Sequence, residues 1–380
     1  MNTKNNTLAI SVIIPTFNVE AYIGKCLESL INQTFGEFEV ICVDDGSTDR
    51  TTELIKEYAV KDTRISLLEM PHCGLAGNMR NEGIQHARGE YLLFLDGDDF
   101  FEPEMLEHSL KKIREDEADI CLFDARLYND TSKKYKKIDY IIQKDYIPSV
   151  VPFEGKSCPY IFNITTGCPW SKLIRRKLVE DNQISFMGLP RSNDVYFVFL
   201  AMALASRITV LDEVFVNYRQ SGTSLQANNA RTPLDWYTAM KALKDKLIEL
   251  NLYEEVELSF RNLVFGVGIY NLCSLKTAES FGEVYNKIRQ EFLEEFDLKN
   301  FKEEEECYSY NRQKYEIYLK VKKYDLNEYL FMELQEMKLW KVRAQKAEKE
   351  LEKLKTSTTL KTGKALLYIP NKIKKFLENK

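Results

Sequence analysis

The sequence is poor in the residues and segments that mark several common protein classes. Of its 380 residues only three are histidine, and none of the eight cysteines forms a CxxC pair, so we do not expect a structural zinc site. There is no run of eighteen or more apolar residues, and the first residues lack the apolar core of a signal peptide. We therefore expect a folded cytoplasmic protein with reduced cysteines.

Acidic residues slightly outnumber basic ones. The chain has 58 Asp and Glu against 53 Lys and Arg, a net charge of −5, which argues against nucleic acid as a partner. Residues 356–380 differ, because their only charged residues are six lysines and one glutamate, mixed with apolar residues. Such segments can lie at the surface of an anionic membrane. We predict a peripheral contact with the inner face of the cell membrane; a solvated tail is the alternative.

Short apolar runs alternate with stretches of helical period in the first third of the chain. The runs predict five strands, at residues 8–14, 38–43, 65–69, 91–95 and 120–127. Near-continuous apolar strands separated by helices are typical of an α/β fold, here a Rossmann-like, mostly parallel sheet covered by helices. From Pro233 onward helical period dominates, so we expect a helical C-terminal region.

These patterns divide the chain into four predicted parts. They are an α/β domain at 1–225, a helical domain at 226–329, a long amphipathic helix at 330–355 and the basic tail at 356–380. Between residues 330 and 354 apolar residues recur in steps of three and four. That spacing suits either a helix packed on its own domain or a coiled coil that would form a homodimer.

Two acidic turns follow predicted strands. The strand at 91–95 runs into Asp96–Asp99, and an earlier strand runs into Asp44–Asp49, so both turns should open at the same edge of the sheet. Crowded carboxylates are costly without a cation. Oxygen ligands without nearby His or Cys suit Mg²⁺ or Mn²⁺, ions commonly shared with substrate phosphates. A single acidic turn is most often merely solvated, but two at one edge favour a metal and a diphosphate-bearing substrate.

Several motifs occur in a fixed order. SVIIPTFNVEAYIGKCLESLINQTF, VDDGSTDRT, RNEGI, RGEYLLFLDGDD and FEPEML span roughly residues 8–115, and a weaker block with CPWSKLIRRKL, SNDVYF and NYRQSGTSL extends to about 224. Together they resemble the family 2 glycosyltransferases with the GT-A fold, in particular those of bacterial surface polysaccharide synthesis. The 1–225 domain would then be the catalytic domain.

The resemblance implies a donor site at the strand ends. Asp45 would bind the edge of a pyrimidine, which points to a UDP-sugar, and Asp98 and Asp99 would hold Mn²⁺ or Mg²⁺ on its diphosphate. His72 stands where many relatives have Asn. The implied nucleotide-sugar-binding residues are Pro15, Thr16, Phe17, Asp45, Arg80, Asp96, Arg219 and Ser224.

The resemblance also implies a general base and an acceptor pocket. The family's base is the Asp of a Glu-Asp pair, and Asp194 stands at that position with Asn193 in place of Glu. Trp170, Lys172 and Asn193 would line the acceptor or sugar pocket. Alternative roles are helix capping for Asp194, core packing for Phe17 and Trp170, and an ion pair for Arg80.

The function implied is that of an inverting, metal-dependent glycosyltransferase. It would move a hexosyl or N-acetylhexosaminyl group from a nucleotide-diphosphate donor to a hydroxyl of a glycan or a lipid-linked glycan. Sugar nucleotidyltransferases are disfavoured, since PTFN stands where they carry a Gly-rich loop. The rival hypothesis is a non-catalytic, nucleotide-sugar-binding scaffold at the membrane.

Overall fold

The computed structural model describes residues 8–220, 230–298 and 312–356. Ser224 and residues 357–380 of the basic tail lie outside these ranges. The strands are β1 (Ile10–Thr16), β2 (Phe38–Asp44), β3 (Ile65–Glu69), β4 (Tyr91–Phe94), β5 (Phe100–Phe101), β6 (Ile120–Asn129), β7 (Lys134–Lys137), β8 (Lys172–Arg175) and β9 (Ile208–Gln220).

The helices lie between these strands and after the last of them. They are α1 (Ile23–Ile31), α2 (Thr51–Lys61), α3 (Ala76–His86), α4 (Met105–Glu115), α5 (Arg176–Asp181), α6 (Asn193–Leu204), α7 (Asp235–Glu249), α8 (Tyr253–Ser274), α9 (Ala278–Lys287), α10 (Arg312–Lys323) and α11 (Leu326–Thr356). A π-helical turn, Ile288–Phe292, extends α9.

One sheet of nine strands runs through the described residues in the order β3-β2-β1-β4-β8-β6-β9-β5, with β7 paired to β6. The strands β3, β2, β1 and β4 are parallel to one another, as expected from the helices between them. Beyond β4 the sheet is mixed, because β8 is antiparallel to both β4 and β6, whereas β9 is parallel to β6. The predicted α/β sheet covered by helices is confirmed.

Burial explains why these segments form strands and helices. β2 is buried along its whole length and β1 nearly so, which fits their continuous apolar sequences. Helix α1 buries Ile23, Cys26, Leu27 and Leu30, one face of a 3.6-residue repeat. Because β1, β2 and β4 are parallel and paired in register, their polar C-terminal turns meet at one edge of the sheet.

The second half of the sheet carries the weaker sequence block. Helix α6 is apolar on all sides and buries most of its residues, in contact with α3, α5 and α7. The strand predicted at 120–127 continues to Asn129 as β6 and pairs with β7. Tyr128 of β6 and Tyr135 of β7 pack with ring centroids 5.2 Å apart, a cross-strand pair that favours this hairpin.

The chain divides into two compact units between Tyr315 and Glu316. In the second unit, Lys320 of α10 forms ion pairs with Glu333 (2.9 Å) and Glu336 (3.0 Å) of α11. Met337 and Trp340 of α11 are exposed. The four-part division and the dimer contact stay predictions. None of the helices in the described ranges is long and apolar enough to cross a membrane.

Candidate active site

The turn after β2 is organised around two adjacent aspartates. Asp44 accepts hydrogen bonds from the hydroxyl of Thr16 (3.0 Å) and from the amide of Ser47 (2.7 Å). The Asp45 carboxylate accepts from the amides of Cys73 (2.7 Å) and Gly74 (2.8 Å), one on each oxygen. Asp45 Oδ2 also lies 3.1 Å from His72 Nδ1, so Oδ1 is the oxygen that keeps a lone pair for a ligand. This carboxylate is therefore held in place before any ligand binds.

Phe17 and His72 form an exposed aromatic step beside this turn. Their rings are stacked with centroids 4.4 Å apart, and Phe17 is 43% exposed, so it does not serve as a core residue. His72 Nδ1 lies 2.8 Å from the backbone oxygen of Asp45. Gly46 has φ +69°, and a Cβ there would lie 3.0 Å from His72. The turn thus needs glycine at position 46 to bring His72 next to Asp45.

The turn after β4 is organised very differently. Asp99 is fully buried; its Oδ1 accepts from the amide of Arg219 (2.7 Å), and its Oδ2 has no hydrogen-bond partner among the described residues. Burial and the neighbouring charge of Asp96 raise the pKa of Asp98 to about 6. Burial, Asp98 and Asp96 raise the pKa of Asp99 well above its ordinary value. The carboxylates of Asp98 and Asp99 thus lack enough positive charge around them.

These carboxylates bear on the predicted metal. Across the described ranges, no group of three or more Asp, Glu, His or Cys side chains is arranged to hold a metal ion. Mg²⁺ is often held by only one or two carboxylates together with substrate phosphates, so this finding leaves a two-ligand site open. The unpartnered oxygen of Asp99 and the crowded charge beside Asp98 fit such a cation.

Arg219 at the end of β9 lies against the same turn. Its side chain is 5% exposed, donates from Nε to the backbone oxygen of Asp98 (2.6 Å) and forms an ion pair with Asp130 (2.5 Å). Its guanidinium also packs over Tyr22, 4.9 Å from the ring centroid. Nearby, burial and the charge of Arg219 lower the pKa of Lys25. Arg219 therefore lies beside the turn after β4, and its contact with a nucleotide sugar stays a prediction.

Arg80 of α3 connects the two halves of the site. One terminal nitrogen donates to Asp96 (2.8 Å) at the end of β4, and the other donates to Asn193 (2.9 Å) at the start of α6. The side chain is 7% exposed, and its Nε has no hydrogen-bond partner among the described residues. The ion-pair alternative for Arg80 thus describes part of its role, since the guanidinium also fixes Asn193 beside Asp194.

Asp194 lies in the first turn of α6, next to Asn193. Burial raises its pKa, the positive charges of Arg80 and Lys172 oppose this shift, and Asp96 adds to it. No other described residue donates a hydrogen bond to its carboxylate, and Ser192 holds the N-cap position of the helix. Asp194 is thus a carboxylate free to accept a proton, and its position in the first turn also suits the helix dipole.

The predicted acceptor residues Trp170 and Lys172 are both buried. Trp170 is 6% exposed and stacks on Tyr218 with ring centroids 5.6 Å apart. Lys172 is fully buried, and its ammonium donates to Cys168 O (2.7 Å) and Thr166 O (3.1 Å). Neither side chain offers a wide surface to a ligand in this conformation. Both side chains shape the loop before β8, and a direct contact with the acceptor stays a prediction.

The structure brings most of the predicted donor residues to one edge of the sheet, with Pro15 and Thr16 ending β1. It also adds residues that sequence reasoning missed. Asp130 and Tyr22 surround Arg219, and Tyr218 supports Trp170. Tyr218 lies in the NYRQ motif and was open to detection, but nothing in the sequence pairs Asp130 with a residue 89 positions away.

A helix-covered sheet with two acidic turns at its strand ends and a carboxylate on a facing helix defines a protein of the GT-A type. The family model described as Glycosyl transferase family 2 matches residues 11–182. The matched segment, a little less than half of the chain, runs from β1 to the end of α5 and resembles this family.

Curated proteins and a solved structure are similar to it. EpsH of Bacillus subtilis, a glycosyltransferase by name, is 35% identical over 223 residues, 56% of this chain and 61% of EpsH. The poly(ribitol-phosphate) beta-N-acetylglucosaminyltransferase TarS of Staphylococcus aureus is 31% identical over 278 residues, 71% of this chain and 46% of TarS. The chain thus spans less than two thirds of these relatives. The crystal structure of TarS 1–349 with UDP-GlcNAc has a TM-score of 0.65 at 26% identity, covering 83% of this chain and 90% of that one.

Proposed function

We propose that this chain is an inverting, metal-dependent glycosyltransferase of bacterial surface polysaccharide synthesis that uses a UDP-sugar. One observation carries the proposal. Arg80 bridges Asp96, at the donor end of the sheet, to Asn193, the neighbour of Asp194. The bridge holds a candidate base at a fixed position relative to the strand ends where a donor would bind.

The donor would lie over the ends of β1, β2 and β4. The lone pair left on Asp45 Oδ1 suits the N–H of a uracil ring, and Phe17 with His72 offers a face on which a base stacks. The likeness to TarS, solved with UDP-GlcNAc, supports a UDP-sugar donor. Asp98 and Asp99 would hold Mn²⁺ or Mg²⁺, which when bound neutralises charge on the departing diphosphate.

Asp194 would act as the general base. As the acceptor oxygen forms its bond to the anomeric carbon, its proton passes to the Asp194 carboxylate, and the electron pair of the old C–O bond leaves with UDP. Attack from the face opposite the leaving group inverts the configuration. Arg219, close to Asp98, would add positive charge near the diphosphate.

The remaining parts of the proposal concern where the enzyme works. A glycan or lipid-linked glycan acceptor would be met at the inner face of the membrane, with the basic segment 356–380 as the peripheral contact. The exposed apolar side chains of α11, Trp340 among them, support the predicted homodimer through 330–354.

The test is release of UDP from a panel of UDP-, GDP- and dTDP-sugars, with Mn²⁺, Mg²⁺ or EDTA. We expect one UDP-sugar to be consumed in the presence of a divalent ion. Asp194→Asn should lower its turnover by about 10²- to 10⁴-fold while the affinity for UDP is kept. Asp124→Asn is the matched control, since Asp124 is also buried with a raised pKa but lies on β6 outside the site.

The scaffold hypothesis predicts a different result. Donor binding would then be present but turnover absent, and Asp194→Asn would change nothing that can be measured. Equal activity of Asp194→Asn and Asp124→Asn would reject Asp194 as the base. Absence of any metal-assisted binding of nucleotide sugars would reject the donor site itself.

A further inference from the structure

A cleft lies beside helix α6, which carries the candidate base Asp194. It has a volume of about 260 Å³ and lies between α6, α8 and the loops around residues 140–143 and 162–167. Its wall combines aromatic rings with amide and hydroxyl groups. Its polar residues include Thr165, Thr166 and Asn262.

Asn262 of α8 is the unusual member of this wall. It is 4% exposed, and its Nδ2 donates to the backbone oxygen of Leu258 (3.0 Å). Its Oδ1 is buried and has no hydrogen-bond partner among the described residues. A buried acceptor without a donor destabilises a fold, so its presence in a cleft points to a ligand that supplies the donor.

Two tyrosines stand exposed at this cleft. Tyr140 is 49% exposed and Tyr270 is 53% exposed, and the two are close enough that Tyr270 contributes to raising the pKa of Tyr140. Exposed aromatic faces beside amide and hydroxyl groups suit a ligand with both C–H faces and O–H groups, which is the chemistry of a saccharide. A plain acyl chain would leave the amides without partners.

The cleft adjoins helix α6, which carries the candidate base. Val195, the residue after Asp194, forms part of its wall, and so do Thr165 and Thr166, to which the buried ammonium of Lys172 donates. A Cβ at Gly167 would lie 3.2 Å from Val195 Cγ2, so the loop packs directly against the first turn of α6. A saccharide bound in the cleft would therefore lie against Val195, the residue next to Asp194.

We propose that this cleft binds the acceptor saccharide, holding the sugar units that precede the hydroxyl to be glycosylated. The proposal rests on the proposed function, because it assigns the acceptor of that reaction. Tyr140 and Tyr270 supply stacking faces, and Asn262 Oδ1 accepts from a sugar hydroxyl. The role of Lys172 is then to hold the loop at 165–166, which forms part of the cleft wall.

The test measures binding of the full chain to an array of bacterial oligosaccharides, neutral and phosphorylated, in the presence of UDP. We expect Tyr270→Ala to weaken binding of the bound saccharide about tenfold or more. Ile248→Ala is the control, since Ile248 is equally exposed (51%) but lies on α7 outside the cleft. It should bind as the wild type does.

Asn262→Leu gives a second, independent readout. The variant removes the unpartnered amide oxygen and keeps a side chain of similar size. It should raise the midpoint of thermal unfolding by about 2–4 °C and abolish saccharide binding. A lowered midpoint would mean that Asn262 serves only the fold, and the proposal would be wrong.

UDP affinity, read in the same samples, separates the two proposals. If UDP binds but no saccharide does, or if saccharide binding survives both Tyr270→Ala and Asn262→Leu, the cleft assignment is overturned and the donor site stands. If an acyl chain but no saccharide binds, the cleft serves a lipid and the proposal fails. If UDP itself does not bind, the proposed function fails first.

Discussion

The two acidic turns follow neighbouring parts of one sheet but are built on opposite principles. At the turn after β2, each oxygen of the Asp45 carboxylate accepts a backbone amide hydrogen bond, at 2.7 and 2.8 Å. At the turn after β4, Asp99 keeps a buried oxygen without a partner among the described residues, and burial together with the charge of Asp96 raises the pKa of Asp98 to about 6. The first turn satisfies its own carboxylate, whereas the second leaves a buried carboxylate oxygen without a hydrogen bond from the described part of the chain.

The two turns differ in whether their carboxylates stabilise the fold by themselves or depend on a ligand for stabilisation. Amide hydrogen bonds to Asp45 position a carboxylate and stabilise the chain at once. Crowded carboxylates without nearby positive charge destabilise the fold. They are retained where a bound cation offsets their repulsion. Substitutions in the two turns should therefore have opposite effects on stability, although both should impair donor use.

The largest expected effect is on turnover at the second turn. Asp98→Ala should lower metal-dependent consumption of the UDP-sugar by about 10²- to 10³-fold, because charge on the departing diphosphate would no longer be neutralised. The measurement is UDP release at saturating donor over a series of Mn²⁺ concentrations. Asp124→Ala serves as the control; a similar loss in that variant would assign the effect to folding.

The next effect is on stability at the first turn. Asp45→Ala leaves the amides of Cys73 and Gly74 without their acceptor and should lower the free energy of unfolding by about 2–4 kcal/mol. Asp45→Asn, which keeps one accepting oxygen, should lose about half as much. Urea unfolding monitored by circular dichroism gives both values. Equal stability of Asp45→Ala and wild type would remove the contrast between the turns.

The fold was largely predictable because its signals are local. The strand predicted at residues 65–69 matches β3, and that at 38–43 ends one residue before β2 does. The sequence could not predict that β8 lies between β4 and β6, since such pairing depends on residues distant along the chain. The continuation of β6 into a hairpin with β7 was missed for the same reason.

The candidate site was predictable as a set of residues and not as a geometry. The acidic turns and Asp194 were found from motifs, but the bridge from Arg80 to Asn193 joins positions 113 residues apart. Burial was equally hidden, since nothing in CPWSKL indicates that Lys172 is fully enclosed. Nothing in the sequence indicates that the amide oxygen of Asn262 has no hydrogen-bond partner among the described residues.

A smaller effect is expected when metal is added to the folded protein. If a divalent ion binds at Asp98 and Asp99, it should stabilise the wild type by about 1.4 kcal/mol at ten times its dissociation constant. Differential scanning fluorimetry with Mg²⁺ or Mn²⁺ measures this shift. Asp98→Asn should show a smaller shift, whereas Asp45→Asn should shift as the wild type does. An equal shift in all three proteins would place the ion elsewhere.

The smallest effect concerns the pH dependence of Asp194. Because the pKa of this carboxyl is raised in the fold, its contribution to stability is present at low pH and is lost as pH rises from about 3.9, the ordinary value, through the folded pKa. Asp194→Asn cannot ionise, so it should match the wild type in acid and exceed it in stability near neutrality. Turnover of the wild type should fall as pH drops through the same folded pKa, since a base must be ionised to accept a proton. Urea unfolding of both proteins from pH 3 to 8 measures the difference in their free energies of unfolding. A difference that does not change with pH would show that the pKa of Asp194 is not raised by folding.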